Sequence, residues 1–256
     1  MNYWSQKEKL AAKAKQHTEQ MEDTYDVEIR MCVHDSQIYS GKIIGMPTQK
    51  YLSTTLLIED ADSVSSIIRH SGKKTCVLNF ASYKHPGGMF MNGSSAQEES
   101  LCHESFLYNV LSRMDKYYEK NQTNLNRSLY TNRAIYTPDV CFERDGSKYM
   151  SDVLTCAAPN KTAAQKYCSV SDDENLATLE DRVDFLLMAA SLNAPEVLIL
   201  GAFGCGVFGQ NAEEVASIFK RLLTTKYDKV FNMVVFPIPD ASSTNFKVFR
   251  DVFTKR

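Results

Sequence analysis

The stretch "VLILGAFGCGVFGQNAEEVA", residues 197–216, constrains the fold of this chain more than any other. An uninterrupted apolar run reaches Gly201, and Gly204, Gly206 and Gly209 follow at close spacing. Asn211 then precedes a segment with Glu213 and Glu214 in its first turn, as a capped helix would have. Buried strand, glycine loop, helix is the βα junction of an α/β protein. A second junction of the same kind lies at residues 77–100, "VLNFASYKHPGGMFMNGSSAQEES". Ligands of open α/β sheets bind outside the carboxyl ends of the strands, so two glycine-rich junctions point to one site.

The other segments extend this pattern. Residues from Ser5 to about Asp23 read as a helix capped by Ser5 with Glu8 three residues on. "VEIRMCV" and "QIYSGKII" read as short strands, and "TTLLIEDADSVSSIIRH" as a helical segment. From Glu98 to about Lys120 apolar residues recur near the helix period. "RDGS" suggests a hairpin between the strands of "AIYTPDVCFERDGSKY" and "SDVLTCAAPN". "SDDE" (171–174) reads as a solvated loop feeding the helix "ATLEDRVDFLLMAASLNA", and "FNMVVFPIP" and "TNFKVFRDVF" close the chain as strand and helix. With no repeat and no linker, residues 1–256 are expected to form one domain. About 1–70 would be accessory helices and strands that wrap around a core of about 71–256.

The net charge of −2, with both signs interspersed, argues against a nucleic-acid or membrane surface. Seven scattered cysteines without a CxxC pair fit a reduced protein without structural zinc. No leader pattern or membrane-spanning run is visible, so the expected location is the cytoplasm, or the nucleus in a eukaryotic cell.

The loop after residue 200 suits an anion, because glycines let successive N–H groups converge ahead of a helix N-terminus. It matches neither the Walker nor the Rossmann spacing. A tight turn that needs glycine only for packing is the structural alternative. Glu98 and Glu99, adjacent on a helix, point about 100° apart and cannot serve one atom from two sides. One would orient a substrate hydroxyl while the other transfers a proton, with burial and like charge raising one pKa toward neutrality. Taken alone, Gln97-Glu98-Glu99 reads as a capping cluster in an acidic first turn. Cys102 beside His103, and Cys205 in the second loop, also raise a nucleophilic cysteine as a reading.

The combination of "NFAS", "HPGGMFMNG", "AQEESLC", "LYTNRAIYTPDVCFERDG", "LTCAAPN", "LILGAFGCGVFGQN" and "FNMVVFPIPD" strongly resembles the microbial-type poly(ADP-ribose) glycohydrolases. The resemblance implies a macrodomain-like α/β fold, a mixed sheet sandwiched between helices. It implies a monomeric, cofactor-free and metal-free hydrolase acting on ADP-ribose chains carried by modified proteins. By matching position, Glu99 would be the catalytic acid, with Glu98 and Asn79 on the distal ribose and Gln97 supporting the loop. Gly87 and Gly88 would match the first signature glycines. Gly204, Cys205, Gly206, Val207 and Phe208 would match the diphosphate loop, with Phe208 against the ligand. Apart from the resemblance, His85, just before the loop's proline, reads as a loop-positioning residue rather than a base. The family's third signature glycine is Met89 here, which could narrow the cleft, shift the substrate, or be harmless where its flexible side chain points away. An ADP-ribose reader without turnover, and a hydrolase of another ADP-ribosyl linkage, are the alternatives.

Overall fold

The computed structural model describes residues 3–255. Among them seven strands form one sheet: β1 (Gln37–Ser40), β2 (Thr55–Glu59), β3 (Thr75–Phe80), β4 (Arg133–Arg144), β5 (Ser147–Cys156), β6 (Val197–Ile199) and β7 (Met233–Pro237). Their order is β1-β4-β5-β3-β6-β7-β2. The run from β5 to β2 is parallel, whereas β4 pairs antiparallel with both β1 and β5. The strands thus form the mixed sheet expected of a macrodomain-like fold.

Helices cover both faces. On one side lie α1 (Tyr3–Asp35), α2 (Ser63–Arg69), α3 (Gln97–His103), α4 (Leu107–Leu111) and α5 (Asp115–Thr123). α6 (Lys161–Cys168) precedes α7 (Asp172–Asn193), which packs on the other face with α8 (Ala212–Leu223) and α9 (Thr244–Thr254). Successive strand side chains point to opposite faces, and β3 shows the consequence. Its Cys76 and Leu78 pack with Leu186, Phe219 and Phe249, while Val77 packs with Ile29, Val64, Leu101 and Phe106. A strand covered on both faces favours apolar residues at successive positions, which is why Cys76, Val77 and Leu78 read as an unbroken run.

Local signals hold where they were strong. Asp145 and Gly146 both have positive φ, 52° and 74°, and join β4 to β5 in a two-residue turn. Asn211 caps α8 by accepting from the N–H groups of Glu213 and Glu214.

Several expectations need correction. Residues 27–33 are helical, because α1 continues past a kink at Tyr25 (φ −128°, ψ 25°). Tyr25, Ile29 and Cys32 are buried at helical spacing, while Val27 and Met31 are 57% and 59% exposed. The alternation of that stretch therefore carried no strand signal. α1 begins by Tyr3, and the proposed capping by the Ser5 side chain lies outside the described residues. The segment 54–70 divides into β2 and α2, and the helical pattern from Glu98 divides into α3, α4 and α5. Residues 171–174 are the capping box and first turn of α7, not a loop. The first 70 residues do more than wrap the core, since β1 and β2 are the two edges of the sheet. Among the described residues no helix is long and apolar enough to cross a membrane.

Candidate active site

β3 and β6 are parallel neighbours, so the loops that leave their carboxyl ends emerge side by side. Gln97 fixes where the first loop ends. Its Oε1 accepts from the Phe80 N–H (2.8 Å), and its Nε2 donates to Leu78 O (2.9 Å) and Ser63 Oγ (3.0 Å). The first turn of α3 is thereby pinned to the end of β3, and Glu98 and Glu99 follow with 3% and 6% exposure.

The two carboxylates are held by different groups. Glu98 accepts from the Asn79 amide (3.2 Å) and from the Ser82 N–H (2.6 Å). Glu99 accepts from the Met89 N–H (2.9 Å). Burial pushes the Glu98 carboxyl up to about 8, and the Glu99 charge adds to this against the pull of Ser82 and Asn79. Asn79 is fully buried, and its amide also donates to Thr155 Oγ1 (3.3 Å). Its Oδ1 has no partner within the described residues.

Both carboxylates rest on Gly88. Its φ is +61°, and a Cβ there would lie 2.7 Å from Glu99 Oε1 and 2.9 Å from Glu98 Oε2. A Cβ on Gly87 would meet the Tyr108 ring at 2.6 Å. Met89 is different: its φ of −110° suits any residue, its side chain is 45% exposed, and the carboxylate uses only its N–H. The position does not require glycine.

The second loop folds on itself, with the Gly209 N–H donating to Gly206 O and the Gln210 N–H to Gly204 O, each at 3.0 Å. Among the described residues, the N–H groups of Gly206, Val207 and Phe208 make no hydrogen bond within the chain. Gly206 lacks a positive φ, and a Cβ there would meet nothing within 4 Å. Neither backbone strain nor packing within the described residues demands a glycine at that point. Val207 is 85% exposed, and Cys205 and Phe208 are half-buried.

Residues 157–162 prop this loop from behind. Thr162 donates its N–H to Phe208 O (3.1 Å), and the Gln210 amide donates to Pro159 O (2.8 Å). Phe208 stands edge-on to Tyr130 (6.1 Å), which stacks on Tyr83 of the first loop at 4.2 Å. These two tyrosines tie the loops together. Both lie in or beside stretches the sequence reading quotes, Tyr130 in "LYTNRAIYTPDVCFERDG" and Tyr83 just after "NFAS", but nothing local marks either as a partner of the other.

The cysteine reading finds no support. Cys102 is fully buried, with burial and then the two glutamates holding its thiol well above the ordinary range. The His103 ring packs edge-on to Phe90 (4.6 Å) with no hydrogen-bond partner for either nitrogen. Burial pushes the Cys205 thiol up to about 12. His85 is exposed, and its N–H donates to Ser82 Oγ (3.2 Å).

The family described as "Microbial-type PARG, catalytic domain" matches residues 5–145. Among solved structures, the chain is similar to poly(ADP-ribose) glycohydrolase from Thermomonospora curvata bound to the inhibitor ADP-HPD. The identity is 27% and the TM-score 0.83, over 95% of this chain and 99% of that one. It is similar also to poly(ADP-ribose) glycohydrolase from Deinococcus radiodurans in complex with ADP-ribose, at 27% identity and TM-score 0.80, over 89% and 98%. No curated protein matches in sequence. With a matching catalytic-domain family, a shared fold and two buried glutamates seated on a glycine loop, this chain belongs to the microbial-type poly(ADP-ribose) glycohydrolase family.

Proposed function

We propose that this enzyme, a poly(ADP-ribose) glycohydrolase, cleaves the ribose–ribose O-glycosidic bond of poly(ADP-ribose) with Glu99 as its proton donor. The observation that carries this reading is the division of labour between the adjacent carboxylates. Glu98 is bound on both oxygens by Ser82 and Asn79, while Glu99 is held on one oxygen by the Met89 N–H.

In the free site the raised carboxyl is that of Glu98. With the ribose hydroxyls bound at Glu98, the proton of the pair passes to Glu99, which gives it to the leaving ribose oxygen as the anomeric carbon gains oxocarbenium character. As a carboxylate it then takes a proton from the attacking water, and ADP-ribose leaves. Glu98 and the open Oδ1 of Asn79 bind the distal ribose hydroxyls, with Gln97 keeping the pair in register. Gly87, Gly88 and Met89 form the floor under the ribose. The N–H groups of Gly206, Val207 and Phe208 receive the diphosphate with Gly204 and Cys205 shaping the turn, and the Phe208 ring packs against the ligand. The substrate chains are carried by modified proteins. The enzyme works as a monomer in the cytoplasm, or in the nucleus of a eukaryotic cell.

The test is release of free ADP-ribose from poly(ADP-ribose) by the wild type and by Glu99→Gln, with calorimetric ADP-ribose binding to both. Turnover should fall by about 10²–10⁴-fold in the variant while binding persists. Binding without turnover in the wild type would instead assign a reader, or a hydrolase of another ADP-ribosyl linkage.

A further inference from the structure

Arg182, on α7, is among the bulkiest side chains buried in the fold, at 1% exposure. Its Nε donates to Asn132 Oδ1 (2.7 Å), its Nη1 to Ala157 O and its Nη2 to Leu129 O (3.3 Å). All three acceptors are neutral, and a guanidinium keeps its proton in proteins. Buried charges are ordinarily paired. Here the nearest carboxylate along the hydrogen-bond chain is the exposed Asp181, one amide removed, which accepts from Asn132 Nδ2 (2.6 Å).

The three anchors share a location. Leu129 closes a left-handed turn in which Asn126, Arg127 and Ser128 have φ of 43°, 52° and 66°, and Tyr130 follows at 62°. The Asn160 N–H donates to Ser128 O (3.0 Å), joining that turn to the stretch beginning at Ala157. Through Pro159 O, the Thr162 N–H and the Tyr130 ring, these two segments support the glycine loop at residues 204–209. The guanidinium is therefore bonded to both segments that support that loop, and among the described residues the loop presents three N–H groups with no bond in the chain.

We infer that Arg182 is a positioning residue whose buried, unpaired charge favours the diphosphate of ADP-ribose at the second loop. The inference rests on the proposed function of that loop. An anion seated there supplies the counter-charge that the protein withholds, so binding gains from a charge that never touches the ligand.

The decisive variant is Asn132→Asp combined with Asp181→Asn. It keeps the net charge and the pattern of hydrogen bonds but brings a carboxylate into contact with the guanidinium. ADP-ribose affinity by calorimetry should fall about 5–10-fold, and KM for poly(ADP-ribose) should rise in step. The kcat should stay within about twofold, because Glu98 and Glu99 belong to the other loop, and the melting temperature should not drop. Arg182→Lys, which keeps the charge, should bind more tightly than Arg182→Met. Wild-type affinity in the double variant would overturn the inference, and so would a fall in kcat with KM unchanged. Should Arg182→Met not fold, the double variant still decides. Failure of the wild type to bind ADP-ribose would instead refute the functional reading itself.

Discussion

Replacing Glu98 by glutamine should stabilise the free protein, by an amount that grows with pH. The folded chain holds the Glu98 carboxyl at about 8, against an ordinary value of 4.5. Between those limits the native state keeps a proton that the unfolded chain has released. Stability from this group is therefore complete below pH 4.5 and is lost as pH rises toward 8. At ~1.4 kcal/mol per pH unit, the interval amounts to about 5 kcal/mol. Glutamine removes the charge and keeps the shape. The Asn79 amide can rotate so that its Oδ1 accepts from the new side-chain NH2; its own NH2 then takes the buried, unpartnered place, a cost that does not change with pH. Urea unfolding of both proteins at pH 5 and pH 8.5 measures the difference. The difference in stability between variant and wild type should shift in the variant's favour by about 4 kcal/mol between pH 5 and pH 8.5. Turnover should fall with the gain, because a group held against its own desolvation is serving the substrate. A difference that does not shift with pH would refute the argument that burial governs this carboxyl.

Three further substitutions test the loops. Gly88→Ala puts a methyl within 3 Å of both carboxylates at a φ of +61°; turnover should fall about 10²-fold in a steady-state assay, with stability lowered by about 1–2 kcal/mol. Met89→Gly should leave turnover within about threefold of wild type and cost up to about 1 kcal/mol in urea unfolding, since the backbone at this residue has no need of glycine. Gly93→Ala would bring a Cβ to 2.1 Å from Lys7 O at a φ of +77°, forcing α1 off the first loop. Thermal melting should show a loss of about 2–4 kcal/mol, and hydrogen exchange should rise first in α1.

The sequence alone determined what depends on neighbours within a few residues. The Asp145-Gly146 turn, the Asn211 cap, the buried run of β3 and the glutamate pair behind the glycines all carry their physics locally. The α/β class was legible in two βα junctions, whereas the macrodomain-like sheet was implied by the family resemblance that their motifs carry. What failed locally was decided by distant contacts. Val27 and Met31 alternate like a strand, yet Tyr25, Ile29 and Cys32 are drawn against the core from a helix. No pattern within residues 55–59 shows that β7, some 180 residues later, is their partner. Only the tertiary structure brings Asn79, Ser82 and Gly88 around Glu98, stacks Tyr130 on Tyr83, and buries Arg182 among neutral carbonyls. Desolvation is the physical reason: a carboxylate or guanidinium acquires unusual properties from what surrounds it in space, and the chain brings those surroundings together only when it folds.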